Sequence, residues 1–368
     1  MENSSKIQVS FAAVDPYLED NIIKNVQKEI KGQGYVSYGD KNIYPQYLHD
    51  LYENVSTLKS IINGISDYVG GENIKINNPQ FEEQINDNGE TVEDIVKQIA
   101  IDLELYGGFA LNILRNKFGK IAAIYNLDFR NIRSDKKNTK FYYSDDWSKS
   151  YGRVKTTVYP KYDINGKDAS SIFFYKIDHY GTYPSPVWGG SVVSAEILKH
   201  IGEFHLNSLY NGLSSDYIIN LNNGVPSDDL KEEIEDNFNE KFGGFSNASR
   251  SMLSFNPDIQ HRTTIEAIPQ SNFIDKYNSL YQTSLKDIYT SFRAHPALFG
   301  LPQENTGFND NDIEQSFNIF NTTVILPLQK NIKRQFEKIF GEKDIITITP
   351  LTVSFKEDKE QSTDKNVK

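Results

Sequence analysis

Two long amphipathic segments, residues 191–211 and 272–294, bracket a stretch with its own strand and helix pattern. In the first, Val193, Ile197, Ile201, Phe204 and Leu209 recur at helical spacing. In the second, Phe273, Ile274, Tyr277, Leu280, Tyr281, Leu285, Ile288 and Phe292 do the same. At about 1.5 Å per residue the second helix spans roughly 35 Å. Between them DYIINL (216–221), SMLSF (251–255) and TTIEAI (263–268) read as strands. VPSDDLKEEIEDNFNEKFGG (225–244) reads as a helix, with Ser227 as N-cap candidate and Asp228 and Asp229 at the positive end of its dipole. The spacing therefore predicts a small α/β insert, about 213–270, carried between two long helices.

The second helix runs into RAHPALFGLPQENTGFNDNDIEQSF (293–317), a polar loop bracketed by Pro296 and Pro302. A third helix follows over about 310–340, with Ile313, Phe317, Phe320, Val324, Leu328, Ile332, Phe336 and Ile339 on one side. Pro327 lies inside it. Proline removes a backbone donor and clashes with the carbonyl four residues back, which predicts a kink near Thr323. IITITPLTVSF (345–355) reads as a final strand, and the residues after it as a charged tail.

The first half reads as an α+β body. Residues 1–40 are polar, with a weak helical patch around Leu18 to Ile30 that ends in KGQG, so they read as an arm. Order is expected to begin at Tyr44-Pro45, which opens a helix, and Ser56 is the cap candidate for the next. Gly70-Gly71 and Gly107-Gly108 end the helices before them. FALNILRN (109–116) and KIAAIYNL (120–127) form a hairpin around Lys117 to Gly119, and 156–160 and 171–177 are further strands. Residues 133–150 read as a polar, turn-rich connection.

Twenty-two Tyr and 22 Phe must fill much of the core. There is no cysteine, which excludes disulfides and thiolate chemistry. No apolar run reaches the roughly 18 residues of a membrane span, and MENSSKIQVS lacks the pattern of a secretory signal. The net charge of −11 argues against a surface that wraps DNA tightly. No phosphate loop, zinc motif or nucleophile elbow is present. His200 and His205 are five apart and do not share a helix face. DINGKD (163–168) lacks the later ligands of a calcium loop and reads as a polar turn, and Asn309 or Asp310 reads as a helix cap. The residues predict neither a catalytic constellation, a metal site nor a cofactor.

The order helix, insert, helix, loop, kinked helix, strand resembles the portal protein family of tailed phages. The resemblance covers about 40–355. It is carried by YGDKNIYPQYLHDLYENVSTLKSIINGISDYVGG (38–71), ELYGGFALNILRNKFGKIAAIYNLD (104–128), HYGTYPSPVWGG and the helix after it (179–219), EEIEDNFNEKFGGFSNASRSMLSF (232–255), and the segment 292–336. It implies an α+β portal-type fold. Residues 1–40 would be an N-terminal arm and 41–190 the first part of an α/β wing. Residues 191–212 and 272–294 would be two stem helices with a clip at 213–271 between them. A tunnel loop at 295–309 would follow. The kinked helix and final strand at 310–355 would complete the wing, and 356–368 would be a tail. A crown after the wing is minimal or absent.

The resemblance further implies a structural protein with no catalytic role, assembled as a dodecameric ring at one capsid vertex. Double-stranded DNA would pass through it non-specifically. The terminase large subunit, a head–tail adaptor and the major capsid protein would be its partners, and no membrane is involved. Gln303, Glu304, Asn305, Thr306, Gly307 and Asn309 would face DNA, as a soft, weakly repulsive collar without positive charge. Without the resemblance the same stretch reads as an ordinary surface loop. Lys199, Lys276, Lys286 and Arg293 are candidates either to line the channel or to pair with acids of a neighbouring subunit. Glu232, Glu233, Glu235, Asp236 and Glu240 form either a clip docking face or a solvated one. The alternative class is an acidic, monomeric α+β enzyme or nucleic-acid-processing protein; a tail or adaptor component is a third reading.

Overall fold

A computed structural model describes residues 23–147, 154–211, 217–222, 224–231, 233–234, 251–261, 271–300 and 310–352. The chain divides into two compact units, one formed by 1–193 with 287–368 and the other by 194–286. Among the described residues no helix is long and apolar enough to cross a membrane.

The larger unit is built on helices α1 (Tyr44–Asn54), α2 (Ser56–Gly70) and α3 (Val92–Tyr106). Pro45 stands in the first turn of α1, where its missing N–H costs nothing. Thr91 and Asp94 close a reciprocal capping box on α3, and Gly107, with φ 82°, stops it. Ser56 does not cap α2. It is the first helical residue, and the preceding Val55 makes no side-chain cap. The apolar faces meet in a core that includes Leu48, Leu51, Leu58, Ile61, Ile62, Ile65, Ile95, Ile99 and Leu103, all fully buried.

Strand β1 (Asn73–Ile76) pairs antiparallel with the last strand, β10 (Ile346–Thr349). The strand expected over 345–355 is thus shorter, because Pro350 has no N–H to continue the ladder. β2 (Gly108–Arg115) is the centre of a three-stranded sheet, hydrogen-bonded to β3 (Ile121–Asn126) and β7 (Ser170–Lys176). β4 (Ile132–Ser134), β5 (Lys140–Tyr143) and β6 (Thr157–Pro160) form a second. The stretch expected as a polar connection after 133 therefore carries two short strands. Their inward residues, Ile132 and Phe141, are separated by a polar turn that masked the alternation. Aromatic rings fill the gap as the composition requires: Phe129 stacks on Tyr106 at 5.2 Å and on Phe174 at 5.8 Å.

The arm is a correction to the sequence reading. Residues 23–43 are neither helical nor loosely attached. They run as irregular backbone with Tyr35, Val36 and Tyr38 buried. Tyr38 stacks on Tyr183 at 4.3 Å, and its hydroxyl donates to the Pro184 carbonyl at 2.7 Å. Gln27 Oε1 accepts from the Thr182 and Tyr183 amides. These partners lie some 150 residues away, so no local pattern announces them.

The smaller unit holds most of α4 (Val192–Asn211) and α5 (Ser271–Phe292), and the parallel strands β8 (Tyr217–Leu221) and β9 (Ser251–Phe255). Phe204 of α4 stacks on Tyr277 of α5 at 5.1 Å, beside a cavity of about 320 Å³. A helical segment opens at Asp228, where Lys231 pairs with the Asp228 carboxylate at 2.7 Å. The strand expected at 263–268 lies outside the described residues.

Candidate functional site

The proline-bracketed loop is anchored from both sides. Arg293 follows α5 with φ 54°, and Pro296–Phe299 then form one turn of 3-10 helix ended by Gly300 at φ 85°. Phe299 is buried. Its ring meets Tyr68 of α2 at 6.0 Å and Phe320 at 5.5 Å. The Phe299 and Leu298 carbonyls accept from Ser60 Oγ at 3.2 Å and Tyr68 Oη at 3.3 Å. Gly64 gives the ring its seat, since a Cβ there would stand 2.7 Å from it. On the far side α6 (Asp310–Phe320) returns Phe317 to the same Tyr68 ring at 5.6 Å. Residues 295–300 are therefore part of the folded body rather than of a projecting loop. Gln303, Glu304, Asn305, Thr306, Gly307 and Asn309 lie outside the described residues.

The helix after the loop changes pitch where Pro327 requires it. Residues Asn321–Ile325 are π-helical, and the Leu326 N–H donates to the Asn321 carbonyl five residues back. α7 (Leu326–Phe340) then resumes α geometry with Pro327 in its first turn. The widened turn absorbs the missing donor and the ring's bulk, and Thr323 Oγ1 donates to the Ile319 carbonyl at 2.8 Å.

A cavity of about 200 Å³ is lined by Glu104, Phe292, Arg293, Val324, Pro327 and Asn331, among others. Glu104 is buried, which pushes its carboxyl up to about 7, and the nearby Arg293 charge opposes the shift. Arg293, a candidate channel-lining cation, thus has an acid of its own chain as electrostatic partner. Asp102, one turn of α3 away, is buried too and pushed up to about 8, although Asn126 Nδ2 donates to it at 2.8 Å. Asn126 Oδ1 has no hydrogen-bond partner, and the acid form of Asp102 would supply the donor it lacks.

Both carboxyls bind protons more tightly folded than unfolded. From the ordinary carboxylate range up to about pH 8 the folded chain holds protons that the unfolded chain has released. Stability must therefore fall as pH rises through that window. Asp102→Asn is expected to remove part of this slope and to raise the urea midpoint at pH 8 but not at pH 4. Equal shifts at both pH values would contradict it.

Of the other sequence candidates, Lys199 is half-buried on α4, Lys286 is exposed on α5, and Lys276 lies within α5 with its side chain outside the described residues. Glu233 is exposed in the segment after Asp228, whereas Glu232, Glu235, Asp236 and Glu240 lie outside the described residues. His200 pairs with Glu203 at 2.8 Å on its own helix face, and the 163–168 turn closes on itself through the Gly166 amide and the Asp163 carbonyl. Among the described residues no group of three or more His, Asp or Glu side chains could hold a metal ion. Sequence reasoning missed the aromatic seat of Phe299 and the buried Glu104. Phe299 reads as loop because its partners on α2 are more than 200 residues away.

The family model for phage portal proteins matches residues 81–367. The chain belongs to the phage portal protein family. Solved structures share the fold. A chain from the virion of a native gene transfer agent particle superposes with a TM-score of 0.52 at 14% identity, covering 87% of this chain and 86% of that one. A chain from the neck of that particle, computed with C12 symmetry, gives 0.52 at 14% identity over 83% and 84%. An HK97-family phage portal protein from Corynebacterium diphtheriae gives 0.50 at 12% identity over 82% and 93%. No curated protein matches the chain in sequence. For a portal protein, the anchored base at Phe299 and the pitch change at Asn321–Ile325 frame the segment that sequence reasoning assigned to DNA.

Proposed function

We propose that copies of this chain close into a ring at one capsid vertex, through which double-stranded DNA enters and leaves a virion without being gripped. The match across residues 81–367 carries this reading. The symmetry of the gene transfer agent neck supports a twelvefold ring. The surface supports it as well: Phe204, Leu206, Leu280 and Tyr281 are exposed on α4 and α5, and a neighbouring copy would cover them. In this reading α4 and α5 are the stem helices and 213–271 is the clip that meets the terminase large subunit and later the head–tail adaptor. The larger unit is the wing, held against the major capsid protein. The ring is structural and performs no chemistry. Negatively stained images of the purified protein are expected to show rings with an open centre. Uniform particles of single-chain size would contradict the reading.

The segment beyond Gly300 would then line the channel. Its candidates carry one carboxylate, Glu304, and no positive charge. Repeated around a ring, that carboxylate repels phosphate weakly, whereas a lysine would hold it. Glu304→Lys rings are expected to retain duplex DNA at low salt, with retention falling steeply as salt rises, and wild-type rings to retain little. Identical retention by the two would remove the segment from the DNA path.

A further inference from the structure

The two most exposed aromatic side chains among the described residues stand at opposite ends of one sheet. Phe118 is 88% exposed and Tyr180 is 85% exposed. The register of β2 with β7 runs from Gly108↔Lys176 to Leu114↔Ser170. Phe118 follows the Leu114 end and Tyr180 follows the Lys176 end, about 20 Å apart along the strands. Neither sits on a loose tip. Asn116 Oδ1 accepts from the Phe118 and Lys120 amides, and Gly119, at φ 77°, completes the turn. At the other end Lys176 Nζ donates to the Tyr180 carbonyl at 3.1 Å and also to the Gly181 carbonyl, while Gln27 holds the Thr182 amide.

The two ends differ in shape. The Phe118 end carries an open groove of about 400 Å³ lined by Phe81, Arg115, Ile121, Tyr162, Ile164 and Phe340, among others. Arg115 keeps it open: its guanidinium lies 5.0 Å from the Tyr162 ring and donates to the Asp163 carbonyl at 2.7 Å. The Tyr180 end carries a projecting ring with a polar tip. A groove with apolar walls and charged rims accepts such a side chain without orphaning its hydroxyl.

Knob and groove on opposite ends of one body make a head-to-tail contact, the kind that closes into a ring when each copy is rotated by a fixed angle. We propose that Tyr180 of one copy seats in the groove beside Phe118 of the next, so that the β3-β2-β7 sheets form a belt around the ring. This rests on the ring reading above and adds its contact. A second copy is the occupant because the groove's rim carries Lys117 and Lys120 on a chain of net charge −11, so that a neighbouring copy brings complementary charge.

The chain contains no cysteine, so engineered thiols report without background. Tyr180→Cys combined with Lys120→Cys, treated with a short bis-maleimide, is expected to give a ladder of covalent multimers on a denaturing gel. Each single variant is expected to stay at monomer mass. A double variant that forms rings by light scattering but gives no ladder overturns the contact and leaves the ring standing. Dimers from Tyr180→Cys alone would show a two-fold contact and overturn it as well. Should wild type form no ring, the portal reading falls and the contact with it. As a second measure, Tyr180→Asp is expected to raise the protein concentration needed for assembly about tenfold or more, the behaviour of an interface anchor; an unchanged concentration would overturn the proposal.

Discussion

Arg133→Met is expected to lower folding stability by about 3 kcal/mol and to free the arm at 23–43 for proteolysis. The side chain is wholly buried with no carboxylate beside it. Its Nε donates to Asn42 Oδ1 at 2.7 Å, Nη1 donates to the Arg130 and Ile132 carbonyls at 2.9 and 2.8 Å, and Nη2 donates to the Asn42 carbonyl. The guanidinium also lies 4.8 Å from the Trp147 ring and 5.8 Å from Tyr38. Methionine fills the space but leaves those acceptors without donors, at about 1–3 kcal/mol for each that water cannot reach. Losing a buried charge offsets part of this, because burial already pulls the Arg133 pKa down to about 10. The orphaned acceptors outnumber that gain. Arg133→Lys is not expected to rescue, since an ammonium cannot reproduce the planar fork. Urea unfolding and a timed protease digest read both effects. A midpoint within 0.5 kcal/mol of wild type would show that water reaches the site.

Phe299→Ala is expected to cost about 3–4 kcal/mol, the range for deleting a buried phenyl ring. It empties the seat between Gly64, Tyr68 and Phe320 that fixes the near end of the 301–309 segment. Gly64→Leu attacks the same contact from the other side, with a Cβ inside 2.7 Å of the ring. The two should not add, because each removes the same packing. Measured losses that sum independently would mean that Phe299 and Gly64 do not share the contact.

The parts of the fold with local rules were legible in the sequence. The helix ends at Pro45, Gly71 and Gly107 follow from backbone geometry alone, and the 109–127 hairpin follows from alternation around its turn. Distant pairings left no local trace. β1 meets β10 across about 270 residues, Tyr38 meets Tyr183, and Ser60 holds Phe299. Ser56 was misplaced as a cap because a serine beside an apolar run satisfies the cap pattern equally one position too late. The proline in the third helix could be read, but its accommodation through a five-residue π turn depends on packing around Val324 and Ile325. The order of elements along the chain pointed to the family more clearly than any single residue did.

The central claim is the ring, and the most direct measurement is the mass of the purified protein in solution. Light scattering on a sizing column at two salt concentrations suffices. The account predicts a particle of about twelve 42.1 kDa chains, in keeping with the C12 symmetry of the related neck, at both salts. A single-chain mass at both salts would contradict it, and the search would then turn to an active site in a monomeric protein.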